Sequence, residues 1–358
     1  MFREVCSLCE QYFYGSSEAS CGGIRSRYET AADSAGSLEE LGMIVNQMLS
    51  ELKTSHSRFY TRSDPEYYQL LAIFKEGPMK EVIHRDHPDG RLEYPGIGIL
   101  DERRNGRVFV KGVLEGSPAA QAGIKMGDQI VSVDGAPYHP IRSFEGKEDR
   151  KVVVAVQRGP NSGDTLEIPV TAERMDPDTL FLQAMKDSVR VIESKGVRIG
   201  YVHIWSYAGE KYQELLREEI ALGRLRNADG LILDLRNGWG GATPHYLNVF
   251  NQSVPILEQI DRQGSRAVVD YQWRKPVVML VNEGTRSGKE VLAYGFKKYG
   301  LGTIVGTKTA GAVMGARPFL LQHGSLLYLA VADVLVDGER LEGRGVVPHV
   351  EVLVGQIR

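Results

Sequence analysis

A strand that stops at a tight turn can lift a serine clear of a sheet and make its hydroxyl available for chemistry. The apolar run Pro276-Val277-Val278-Met279-Leu280-Val281 is followed by Ser287-Gly288-Lys289-Glu290, which opens a helical pattern carried by Val291, Leu292 and Phe296. Free N–H groups at such a helix start point at whatever the hydroxyl attacks. A serine in this place is most often only an N-cap, so chemistry requires a base and an anion site elsewhere in the chain.

The base must be a group that takes the serine proton. Among eight histidines, His56 stands in Glu51-Leu52-Lys53-Thr54-Ser55-His56-Ser57, at the close of a capped helix. An imidazole there is either a base or a favourable charge on the helix C-terminus. The turn Asp234-Leu235-Arg236-Asn237-Gly238-Trp239-Gly240-Gly241 follows a buried strand and precedes a helical pattern. Such turns expose N–H groups to an anion or an oxyanion. It carries neither the lysine and Ser/Thr of a P-loop nor the spacing of a dinucleotide fingerprint.

These segments need elements to hold them. Residues 1 to about 75 read as helical: Ser37-Leu38-Glu39-Glu40 is a capping box, with Leu41, Ile44, Val45, Met48, Leu49 and Leu52 at helical spacing. A second helix starts at Asp64-Pro65 and carries Tyr67, Leu70, Leu71 and Phe74, and His84 to Gly90 is a polar linker. From Tyr94 short strands and glycine turns take over, at 96–100, 108–113, 128–135, 151–157 and 166–170, with a short helix between Ser117-Pro118 and Gly123. From Val197 strand-like runs at 199–205, 230–235, 276–281, 303–305 and 325–331 accompany helical patterns near 210–225, 243–252 and 287–299. That alternation predicts an α/β layer with a mostly parallel sheet.

A chain of 358 residues suits two or three domains. Its 43 basic and 46 acidic side chains leave a net charge of -3, and basic residues form no long runs, which argues against nucleic acid as a partner. No apolar stretch is long enough to span a membrane, and Met1-Phe2-Arg3-Glu4-Val5 is amphipathic rather than signal-like, so the expected location is cytoplasmic. Cys6 and Cys9 are spaced like a metal or redox pair, but with only a distant Cys21 they do not complete a zinc site. They share a helical face with Phe2, Val5 and Phe13 and are expected in the core. Neither a cofactor nor a metal is expected.

Ser117-Pro118-Ala119-Ala120, Gly123-Ile124-Lys125-Met126-Gly127-Asp128 and Val133-Asp134-Gly135 resemble, in that order, a PDZ domain of the type inserted in bacterial processing proteases. The resemblance implies that Gly96, Ile97, Gly98 and Ile99 border a groove where a peptide adds as an extra strand, the two isoleucines lining an apolar pocket. Nearly the whole chain resembles the tail-specific, or carboxyl-terminal processing, serine proteases, and within them the tricorn core protease branch. The carriers, in family order, are the Ser55-His56 segment, the PDZ-like insertion, the Asp234–Gly241 turn, Val281-Asn282-Glu283-Gly284-Thr285-Arg286-Ser287-Gly288-Lys289-Glu290, and Leu341-Glu342-Gly343-Arg344-Gly345-Val346-Val347-Pro348.

That resemblance implies an α/β (α+β multidomain) fold: a helical region at 1–80 carrying His56, a PDZ-like domain at 94–172, and an α/β protease core of the ClpP/crotonase-like type at 173–358. It implies Ser287 as nucleophile, His56 as base, Ser55 and Glu342 as a polar relay behind it, and Gly288 with Gly240 or Gly241 as oxyanion donors. Peptides or unfolded proteins are the implied substrates, and the resemblance admits a homo-oligomer. In the family's serine–lysine branch a lysine stands where this chain has Ala312; Lys308, slightly earlier, is the alternative base. A non-catalytic peptide-binding protein on the same scaffold is the other alternative, since Arg286 and Lys289 replace small residues around the serine.

Overall fold

Ser37 accepts the Glu40 N–H at 3.1 Å and starts the helix Leu38–Ser50, whose buried face is Val45, Met48 and Leu49. The computed structural model describes residues 1–15, 21–76, 79–159 and 165–352. Its contacts divide the chain into two units, Met1–Leu180 with Ala312–Gly343, and Phe181–Gly311 with Arg344–Arg358.

In the first unit the helices Phe2–Tyr12 and Leu38–Ser50 share a core with a three-stranded antiparallel sheet, in which Leu326–Ala332 lies between Arg58–Tyr60 and Gly315–Leu320. Cys6 and Cys9 are buried there beside Val5 and Met48, as the helical register predicts. One expectation is corrected here. The run 325–331 was expected in the parallel layer but pairs antiparallel in this sheet, because Leu321 to Ser325 forms a tight reversal at Gly324 that permits only a hairpin. The PDZ-like part follows as a five-stranded sheet in the order Ile99–Arg104, Arg107–Val113, Gln129–Val133, Lys151–Gln157, Thr165–Thr171. Ser117 caps its short helix Pro118–Ala122, and Gly123 ends it in the left-handed conformation.

The second unit is a six-stranded sheet in the order Val350–Glu351, Thr303–Gly306, Val277–Val281, Gly230–Asp234, Val197–His203, Arg190–Ser194. All neighbours are parallel except the last pair. The helices Glu210–Ala221 and Gly288–Lys298 fall where the apolar spacing puts them. The helix expected at 243–252 is instead a 3₁₀ segment, Pro244–Phe250, entered through an extended Thr243. Strands Gly230–Asp234 and Val277–Val281 pair in register, Asp234 opposite Leu280, so the glycine turn and the serine turn leave the same end of the sheet side by side. Ligands of open α/β sheets are bound at that carboxyl end.

Candidate active site

Ser287 has φ 55 and ψ -130, and the helix Gly288–Lys298 begins at the next residue. An ordinary N-cap is extended with negative φ; this backbone is one that residues with a Cβ avoid, at a cost of about 1–3 kcal/mol. It has the character of a nucleophile elbow, where strain at a strand-to-helix turn exposes the hydroxyl. Glu290, fully buried, holds the turn by accepting from the Ser287 N–H at 3.3 Å, Thr309 Oγ1 at 2.6 Å and the Gly311 N–H at 2.7 Å.

The glycine turn is built against this elbow. Asp234 is buried at its strand end, where it accepts from Tyr201 at 2.8 Å, from the Arg236 N–H at 3.0 Å and from Arg236 Nε at 2.9 Å. Burial pushes its carboxyl upward, but His203 and Arg236 outweigh that and hold it below the usual range. Asn282 then bridges the turns: its Oδ1 accepts from the Asn237 N–H and its Nδ2 donates to Asn237 Oδ1, each at 3.1 Å. Thr285 Oγ1 donates to the Leu235 carbonyl at 3.0 Å.

Close contact requires glycine at several places in these turns, two of them at the elbow itself. A Cβ on Gly240 would lie 2.5 Å from the Ser287 Cβ, and one on Gly288 would lie 2.4 Å from the Ala242 nitrogen. Gly241, at φ 92, packs instead on Ala208. Among the described residues the N–H groups of Gly288, Gly240 and Gly241 donate to no protein acceptor. The serine therefore stands in a group of unspent backbone donors, as an oxyanion site needs.

The histidine segment belongs to the first unit. The preceding helix ends at Ser50, and His56 sits in a later turn at φ 60, only 7 % exposed and tilted against Tyr328 with ring centroids 5.6 Å apart. It is therefore off the helix end, and complementing a C-terminal dipole does not account for it. Ser55 Oγ lies 2.6 Å from His56 Nδ1 and donates to Glu342 Oε2 at 2.9 Å. Glu342 also accepts from the N–H groups of Ser55 at 2.8 Å and Val313 at 2.7 Å. A carboxylate only accepts, so the Ser55 hydroxyl points its proton at Glu342 and its oxygen is left to accept from Nδ1–H. That order puts the proton on Nδ1 and makes Nε2 the proton-accepting nitrogen, the tautomer a general base requires. Lys308 is exposed in the loop after Thr303–Gly306 and lacks the burial that turns a lysine into a base.

In the PDZ-like sheet the carbonyl of Ile97 accepts from Ala119 at 2.9 Å and that of Gly98 from Leu114 at 3.0 Å, while among the described residues the Ile97 and Gly98 N–H groups meet no acceptor. Ile99 opens the edge strand Ile99–Arg104. Gly96 ends the short strand Tyr94–Gly96. Ile97 is 1 % exposed in the domain core, so its side chain lines no surface pocket; Ile99 is only partly covered.

Sequence reasoning missed two features of the serine turn. Arg286 lays its guanidinium 5.4 Å over the Trp239 ring, and Lys289 is completely buried. Both were visible only as unusual residues around the serine, because a local pattern does not say what a side chain will meet.

A family model described as peptidase family S41 matches residues 198–352, and one described as a PDZ domain matches residues 109–158. The carboxy-terminal processing protease CtpA of Bacillus subtilis is 29% identical over 275 residues, covering 72% of this chain and 56% of its own. The carboxyl-terminal-processing protease of Synechocystis is 28% identical over 310 residues, covering 82% and 66%. The chain thus spans less than two thirds of the length of these curated relatives. Among solved structures, the photosystem II D1 C-terminal processing protease superposes with a TM-score of 0.56 at 22% identity over 98% of this chain and 92% of that one. The tricorn protease gives 0.55 at 21% over 98% of this chain and 34% of that one. At those identities the likeness is one of fold.

Proposed function

We propose that the chain, whose residues 198–352 match the peptidase family S41 model and whose residues 109–158 match a PDZ domain, is a serine endopeptidase of the carboxyl-terminal processing, tricorn-like kind. The Ser287 oxygen attacks the scissile carbonyl carbon as His56 Nε2 takes its proton. The oxyanion accepts from the N–H groups of Gly288 and Gly240, the glycine packed on the serine rather than Gly241. Collapse breaks the C–N bond, His56 returns the proton to the leaving amine, and water discharges the acyl-enzyme by the same base. Ser55 and Glu342 hold the imidazole in its working tautomer.

The observation that carries this reading is the left-handed Ser287 beside unspent N–H groups, an arrangement that costs stability and that a cap does not need. A parallel sheet delivering that serine from a strand end also supports a core of the ClpP/crotonase-like type. The PDZ-like domain, 94–172, would capture the carboxylate end of an extended peptide on the Ile97 and Gly98 N–H groups and strand Ile99–Arg104. The substrate is then an unfolded polypeptide with an accessible C-terminus. A phosphonofluoridate probe tests the central claim: it should label wild type at Ser287, and Ser287→Ala should abolish both labelling and peptide hydrolysis. Hydrolysis persisting in that variant at the wild-type rate refutes the assignment, and absence of labelling with intact peptide binding would mark a non-catalytic binder.

A further inference from the structure

Lys289, two residues past the nucleophile, is fully buried, and the reaction above makes no use of it. Its Nζ donates to the Trp205 carbonyl at 3.0 Å and to the Asn237 carbonyl at 2.8 Å. These two carbonyls bracket the glycine turn. Trp205 O also accepts the Trp239 N–H at 2.8 Å, and Asn237, at φ 55, is the left-handed residue from which the turn departs. Among the described residues no carboxylate lies within ion-pair distance of the ammonium. Burial pushes it down to about 7, with Asp234 opposing from farther off.

A cation buried on carbonyls alone works against the fold, because its desolvation is repaid by no opposite charge in contact. An apolar side chain of similar length would fill the space without that penalty. Stability therefore does not account for a lysine here, whereas location does. Its backbone adjoins Gly288, one oxyanion donor, and its side chain grips the turn that carries Gly240, the other.

We propose that Lys289 is a positioning residue that ties the nucleophile helix to the glycine turn and so fixes the separation of the Gly288 and Gly240 N–H groups. The inference rests on the reading of Ser287 as nucleophile. Oxyanion donors act only when held about 2.7–3.1 Å from the developing charge, and loss of one costs about 10²–10³ in rate. A donor displaced rather than lost sits below that ceiling.

The test compares wild type with Lys289→Met and Lys289→Gln, with rates normalised to active sites titrated by the phosphonofluoridate. Lys289→Met should lower kcat about 10- to 100-fold with KM little changed, because the ground-state carbonyl uses the donors less than the transition state does. Affinity for a peptide boronate should fall by the same factor as kcat/KM. Lys289→Gln keeps an N–H donor and should recover part of both. Amide hydrogen exchange across 237–241 should speed up in Lys289→Met at matched global stability, a readout that needs no turnover. Wild-type kcat/KM and unchanged exchange in a folded Lys289→Met overturn the proposal; should that variant not fold, Lys289→Gln carries the same measurements. Wild-type protein without Ser287-dependent turnover defeats the functional reading instead, and the exchange result then decides whether the tie exists.

Discussion

Replacing Ser287 by glycine should make the protein more stable while removing its activity. The serine backbone sits at φ 55 and ψ -130, a region that costs a residue with a Cβ about 1–3 kcal/mol and glycine almost nothing. Against that gain stands the greater freedom of glycine in the unfolded chain, about 0.5–1 kcal/mol. The bond from the residue 287 N–H to Glu290, 3.3 Å long, survives in either variant, being a backbone contact. The difference leaves a net stabilisation of roughly 0–2.5 kcal/mol for Ser287→Gly. Ser287→Ala keeps the strain and should gain nothing. An N-cap predicts otherwise: alanine would lose about 0.5–2 kcal/mol and glycine a few tenths, so both variants would fall below wild type. Urea unfolding of the three proteins at one pH, with m-values shown to be equal, reads the sign directly. A Ser287→Gly protein less stable than wild type would refute the claim that the serine is held in a strained elbow.

Three further outcomes follow from the same geometry. His56→Ala should abolish turnover and Lys308→Ala should leave most of it, measured on one peptide substrate; the reverse result would restore the serine–lysine mechanism. Gly240→Ala should reduce activity by at least the roughly 10²–10³ of a lost oxyanion donor, since its Cβ would press on the Ser287 Cβ at 2.5 Å; near-wild-type kcat would show that Gly240 is not the second donor. Lys289 should make stability depend on pH: its folded value of about 7 lies below the ordinary 10.5, so between those values the unfolded chain binds more protons and stability rises with pH. The full span is on the order of 5 kcal/mol, and the stability difference between wild type and Lys289→Met, from urea unfolding at pH 7 and pH 9.5, should shift in favour of wild type as pH rises. A pH-independent difference would mean that the amine is not held in a charge-hostile site.

How much of this could be read from the chain alone differs between its two chemical segments, and for a physical reason. The serine turn is local: a buried strand of period two, small residues, and a helix of period 3.6 lie within about twenty residues, and each constrains the next. The pairing of Ser55 with Glu342 is not local, since 287 positions separate them, and no periodicity links a turn after one helix to a carboxylate after a distant hairpin. Only resemblance brought those two together. The same limit misplaced the run at 325–331, because an apolar strand does not declare which sheet it will join, and it left Lys289 looking like a departure from a small-residue pattern. What the fold adds at that position is direction. A lysine at the second position of a surface helix would extend into water, but this helix starts beside the ends of two parallel strands, and the side chain turns inward to the Trp205 and Asn237 carbonyls. The residue that looked least like a protease signature thus joins the nucleophile helix to two strand ends through their carbonyls, and its burial is the consequence of reaching them.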